Sequence, residues 1–155
     1  MDNLLRISEA ATLAIHSMLC LAITEGVGSQ SVKHLASVLK VSEAHLSKVL
    51  QRLARAKLVS SRRGQRGGFK LNREPEEISL MDIYAAIHGP LPAGTCLMAT
   101  RLCLPGTCIM GDVLHRVFHT VEEHFNNTTL ADMRAKSSLR FNEALSHPGK
   151  DHSPT

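Results

Sequence analysis

Residues 31–72 read "SVKHLASVLKVSEAHLSKVLQRLARAKLVSSRRGQRGGFKLN". Val32, Leu35, Ala36 and Leu39 recur at helical spacing and predict a short helix. A tight connection follows at "KVS". Ser42 is suited to cap a second helix whose apolar positions are Leu46, Val49, Leu50 and Leu53. That helix is expected to turn His45, Ser47, Lys48 and Arg52 to solvent. Two short helices joined in this way read as a helix-turn-helix, the second helix lying in a DNA major groove. "LVSS" and "GGFKL" are strand candidates joined by the arginine-tipped turn "RRGQRG". A basic hairpin after a recognition helix is a wing, suited to phosphate or minor-groove contact. The expected DNA contacts are therefore Ser42, His45, Ser47, Lys48 and Arg52 on the helix, and Arg62, Arg63, Gln65 and Arg66 on the wing.

Charge points the same way. Between Ser31 and Arg73 lie eleven basic residues and one acid, Glu43, a local balance of +10 in a chain whose formal net charge is +4. The remainder carries −6. A mildly basic surface does not need this concentration, whereas neutralising phosphate and releasing counterions does.

The flanks suggest a frame for pairing two copies. An Ala-rich helix is expected from about Leu5 to Thr24, and "EISLMDIYAAIHG" reads as a helix with Ser79 and Asp82 at capping-box spacing. In "IMGDVLHRVFHTVEEHF" the stripe Ile109, Val113, Val117 and Val121 has Leu114, Phe118 and Phe125 beside it. That arc is broader than one small domain needs, so the helix from about Gly111 to Phe125 is expected at a homodimer interface. His115 and His119 stand four apart on it, without the Glu of a metalloprotease motif, and read as a solvated face. "TTLADMRAK" adds a capped helical turn. Residues 1–145 are expected to form one mainly α winged helix-turn-helix domain with this long dimerisation helix, and 146–155, "SHPGKDHSPT", a disordered tail. No apolar run reaches membrane-spanning length, and "AATLAIHSMLCLAIT" lacks a cleavage site, so a cytoplasmic protein is expected. No nucleophile–base spacing or nucleotide loop suggests an enzyme.

One segment remains. Residues 89–112, "GPLPAGTCLMATRLCLPGTCIMGD", hold three of the four cysteines, Cys96, Cys103 and Cys108. Three thiolates in a Gly/Pro-rich loop can enclose an iron–sulfur unit, hold zinc with a fourth ligand, or form a bare thiol switch. Three incidental small hydrophobes would be the alternative without chemistry. Cys20, within an apolar helix, reads as core.

The chain resembles the Rrf-two family of winged-helix transcription regulators, which includes the IscR and NsrR types. The resemblance rests on "LVSSRRGQRGGFKL", "LAIHSMLCLA" and "TTLADM", and on the order of recognition helix, wing, cysteine loop and long helix. It implies a homodimer that binds a partly palindromic double-stranded operator, and an iron–sulfur cluster held by Cys96, Cys103 and Cys108. By position it implies base reading by Ser47 and Lys48, and minor-groove entry by Arg63. Two features depart from it. The spacing is Cys-x6-Cys-x4-Cys rather than roughly even, and Gly111 stands where the IscR type has a histidine ligand. Some members complete the cluster from the first helix of the partner subunit. There Glu9, Thr12 and His16 form a polar stripe at i, i+3 and i+7. Thr12, at the matching position, is a poor ligand, so His16 ranks first and Glu9 second. Mixed histidine and cysteine ligation favours a 2Fe-2S over a 4Fe-4S cluster.

Overall fold

The computed structural model describes residues 7–26, 28–62, 67–91, 110 and 112–137. Its first helix, α1 (Glu9–Ile23), starts where the Ser8 hydroxyl accepts the Ala11 N–H, four residues later than the expected Leu5. Ala11, Leu13, Ala14, Met18, Cys20, Leu21 and Ala22 are all buried along it. Burial on so many sides fits a central helix, and α1 packs against both helices of the helix-turn-helix and both helices described next to it. Those are α2 (Val32–Leu39) and α3 (Glu43–Arg55), then α4 (Leu80–His88) and α6 (Leu130–Ala135).

The helix-turn-helix forms as its periodicity indicates. Ser31 caps α2 through the His34 N–H, and Ser42 caps α3 through the His45 N–H. Between them Lys40 takes the left-handed conformation that ends α2. Strands β1 (Val59–Arg62) and β2 (Gly68–Leu71) pair antiparallel, with Val59 opposite Leu71 and Arg62 opposite Gly68. Sequence reasoning missed a bridge to this two-stranded sheet. Gln30, just before α2, exchanges both backbone hydrogen bonds with Phe69, at 2.8 and 2.9 Å. The wing is thereby tied to the entry of the helix-turn-helix.

Gly68 is required by this closeness. A Cβ there would collide with the backbone carbonyl of Gln30. Gly68→Ala is therefore expected to cost about 1–3 kcal/mol, as overpacking against unyielding backbone does. Urea unfolding checks this, and unchanged stability would contradict the close approach of Gln30 to Gly68.

Downstream, a 3₁₀ turn (Pro75–Glu77) leads to α4, whose Ser79–Asp82 capping box has both hydrogen bonds at 3.0 Å. Helix α5 (Val113–Asn127) packs on α4, and a second capping box, Thr129–Asp132, opens α6. Backbone bonds at 2.8 Å from Leu80 to Thr128 and from Leu130 to Ile78 pin the two capped starts together. The Arg134 guanidinium then fixes α6 to the Glu25 carboxylate at 2.8 Å and lies 3.6 Å from Glu76. Only Leu114 and Phe125 are buried on α5; Val117, Phe118 and Val121 are half-buried and Val113 is 43 % exposed. Ile109, the first residue of the expected stripe, and the tail at 146–155 lie outside the described residues. No described helix is long and apolar enough to cross a membrane.

Candidate nucleic-acid interface and cysteine segment

Helix α3 has a buried face, an exposed face opposite it, and two flanks between them. Leu46, Val49, Leu50 and Leu53 are buried against the core. Directly opposite, Ala44, Lys48, Gln51 and Arg55 are exposed. Sequence reasoning named Lys48 but missed Gln51 and Arg55, which helical rotation from the buried strip would have found. Ser47 is half-buried on one flank, and Ser42 is exposed but occupied as the cap.

His45 and Arg52 share the other flank, seven residues apart, and they do more than face solvent. His45 Nδ1 lies 3.7 Å from the Glu9 carboxylate on α1. The Arg52 guanidinium donates to the backbone carbonyl of Ile87 in the last turn of α4. A DNA contact from Arg52 would use its remaining N–H groups. Neither partner was legible beforehand, because both come from distant parts of the chain. On the wing Arg62 is exposed, and Arg63, Gln65 and Arg66 lie outside the described residues.

The expected stripe on α1 is present, with Glu9, Thr12 and His16 all exposed. His16 Nδ1 lies 2.8 Å from the Thr12 carbonyl. A carbonyl only accepts, so Nδ1 is the donor in this bond, an arrangement that commonly orients a metal-ligating imidazole. Glu9 keeps 74 % of its side chain exposed beside His45. Cys96, Cys103 and Cys108 lie outside the described residues. Among the described residues no group of three His, Cys, Asp or Glu side chains is placed to hold a metal. His115 and His119 are exposed, and His119 pairs with Glu123 at 3.4 Å, as expected of a solvated face. Cys20 is fully buried, and burial pushes its thiol up to about 12, which keeps it protonated and unreactive.

A winged helix with this basic recognition face narrows the field, and a sequence comparison decides it. The family model described as Rrf2, iron-dependent transcriptional regulator, matches residues 7–136. The chain belongs to the Rrf2 family. Among solved structures, CymR, the global cysteine regulator of B. subtilis, superposes on it with a TM-score of 0.75 at 29 % identity, over 86 % of this chain and 99 % of that one. T. potens IscR gives a TM-score of 0.69 at 28 % identity, over 86 % of this chain and 89 % of its own. The HTH-type transcriptional regulator NsrR of Shouchella clausii is 28 % identical over 122 residues, 77 % of this chain and 82 % of the relative. This Rrf2 protein is thus a DNA-binding transcriptional regulator of mainly α winged-helix fold, and not an enzyme.

Proposed function

We propose that this regulator is a homodimer whose operator affinity is set by an iron–sulfur cluster on Cys96, Cys103 and Cys108. The observation that carries the reading is the clustering of three cysteines between α4 and α5 of an Rrf2 chain, while Cys20 is sequestered in the core. His16 is the first candidate for the remaining ligand, from the partner's α1, because it is exposed and its ring is oriented by the Thr12 carbonyl as ligating histidines commonly are; Glu9 is the second. When bound, the cluster supplies a centre that changes oxidation state, or is lost, on meeting an oxidant or nitric oxide. The half-buried valines of α5 supply the surface on which the two copies pair, and the protein acts in the cytoplasm, where thiols stay reduced.

A second reading assigns the same cysteines to zinc or to a thiol–disulfide switch. What favours it is the uneven Cys-x6-Cys-x4-Cys spacing and the similarity to a cysteine regulator. An anaerobic visible spectrum with iron and sulfide analysis separates the two. A brown protein that bleaches in air supports the cluster, and a colourless one with zinc or no metal supports the alternative.

DNA recognition has its own test, using a duplex selected from a randomised library. Two chains should bind per partly palindromic site, with affinity falling as salt rises. Lys48→Ala should cost about 1–3 kcal/mol on the selected duplex and little on an unrelated one. Arg66→Ala should weaken both and reduce the salt slope by about one. Equal loss on both duplexes for Lys48→Ala would remove it from base reading.

A further inference from the structure

Three polar contacts meet where the recognition helix touches the start of α1 and the end of α4. Glu9 faces His45 at 3.7 Å. The next residue back, Ser8, places its hydroxyl 2.8 Å from His88 Nε2. Arg52 donates to the Ile87 carbonyl, adjacent to His88. The contacts thus run from α3 to α1, across to α4 and back to α3. The carbonyl that Arg52 engages is among those that a helix end leaves without an intrahelical partner, at the negative end of the helix dipole. Beyond His88 the chain turns at Gly89, with φ +77°, and continues to Cys96. The His88 ring also lies tilted against Tyr84, with centroids 5.0 Å apart, and Tyr84 is tilted against Phe125 of α5 at 5.6 Å. The junction therefore touches the helices on both sides of the cysteine segment.

We propose that Arg52 and His88 are positioning residues that set the pose of α3 against α4 and pass the state of the cysteine segment to the DNA-reading face. The inference deepens the sensing reading above and rests on it. Leu46, Leu50 and Leu53 hold α3 by apolar packing, which resists separation but is not directional. A charge-assisted hydrogen bond from a rigid guanidinium is directional, and it fixes the rotation of the helix about its own axis. A shift at the end of α4 moves the acceptor of Arg52, and Lys48 lies one turn away on the same helix.

The test is a double-mutant comparison of affinity for the selected duplex. Cys103→Ala is measured against the native loop in four backgrounds: wild type, His88→Phe, Arg52→Met and Arg52→Lys. His88→Phe keeps a ring against Tyr84 and removes the nitrogen that meets Ser8. In the wild-type background, Cys103→Ala should change affinity at least about fivefold, the scale of ordinary coupling between sites. In His88→Phe and Arg52→Met that change should shrink to within about twofold of none, while Arg52→Lys, which keeps a donor, restores part of it. A residue with a merely structural role would lower both affinities and leave their ratio alone. If either variant keeps the full wild-type ratio, the role assigned to its residue is overturned. If Cys103→Ala leaves wild-type affinity unaltered, the sensing reading itself falls, and the junction's role with it.

Discussion

Cys103→Ala, purified anaerobically, is expected to emerge without visible absorption and without bound iron or sulfide, and Cys96→Ala and Cys108→Ala likewise. A cluster held by few thiolates loses a bond to iron with each substitution, and alanine supplies no donor in its place. Cys20→Ala is the internal control. That thiol is fully buried and protonated, so its loss should leave the spectrum intact. His16→Ala should shift the spectrum and shorten the cluster's lifetime without dissociating the chains. Full absorption in any of the three loop variants would strike that cysteine from the ligand set. Unchanged spectrum and lifetime in both His16→Ala and Glu9→Ala would send the search for the last ligand away from α1.

The second large effect concerns the fold. Leu50 is completely buried on α3, among Leu46, Val49, Leu53 and the core around α1. Leu50→Ala removes three carbon atoms and leaves a cavity, so it should cost about 2–5 kcal/mol. A domain of this size is stable by only about 5–15 kcal/mol, so the substitution spends much of that margin. Urea unfolding should show a clearly lowered midpoint, with operator binding lost at elevated temperature before the wild type loses it. Lys48→Ala, two residues away on the exposed face, should leave the midpoint where it was. A Leu50→Ala midpoint close to wild type would mean that α3 does not pack as described.

Much of the DNA-reading unit was legible because its signals are local. The stripes of α2 and α3, the caps at Ser31 and Ser42, and the strand runs on either side of the arginine turn are each decided within a few residues. The Ser79–Asp82 box was found by the same means. What escaped depends on chain segments that meet only in the fold. Nothing near Arg52 announces the Ile87 carbonyl, nothing near Glu9 announces His45, and "GG" does not say that Gln30 will press on Gly68. Helical periodicity put His45 and Arg52 on the polar side of α3. It could not say that this side divides into a strip open to solvent and a flank that faces the protein's own helices. For the three cysteines, spacing and compartment chemistry defined a short set of possibilities, and family membership, rather than geometry, orders them.

The pairing of Ser79 with Thr129 has a bearing on how such a protein changes its chemistry over time. Backbone bonds from Leu80 to Thr128 and from Leu130 to Ile78 close a neck, and everything between, α4, the cysteine segment and α5, is an excursion that leaves and returns at one place. Lengthening an excursion whose ends are already fastened costs little, about 0.6 kcal/mol for each doubling of a flexible loop. Residues can therefore be inserted, removed or respaced around the cysteines while the capped starts of α4 and α6 stay joined. Such a frame lets evolution exchange the detector while the place where it is fastened to the rest of the protein is kept.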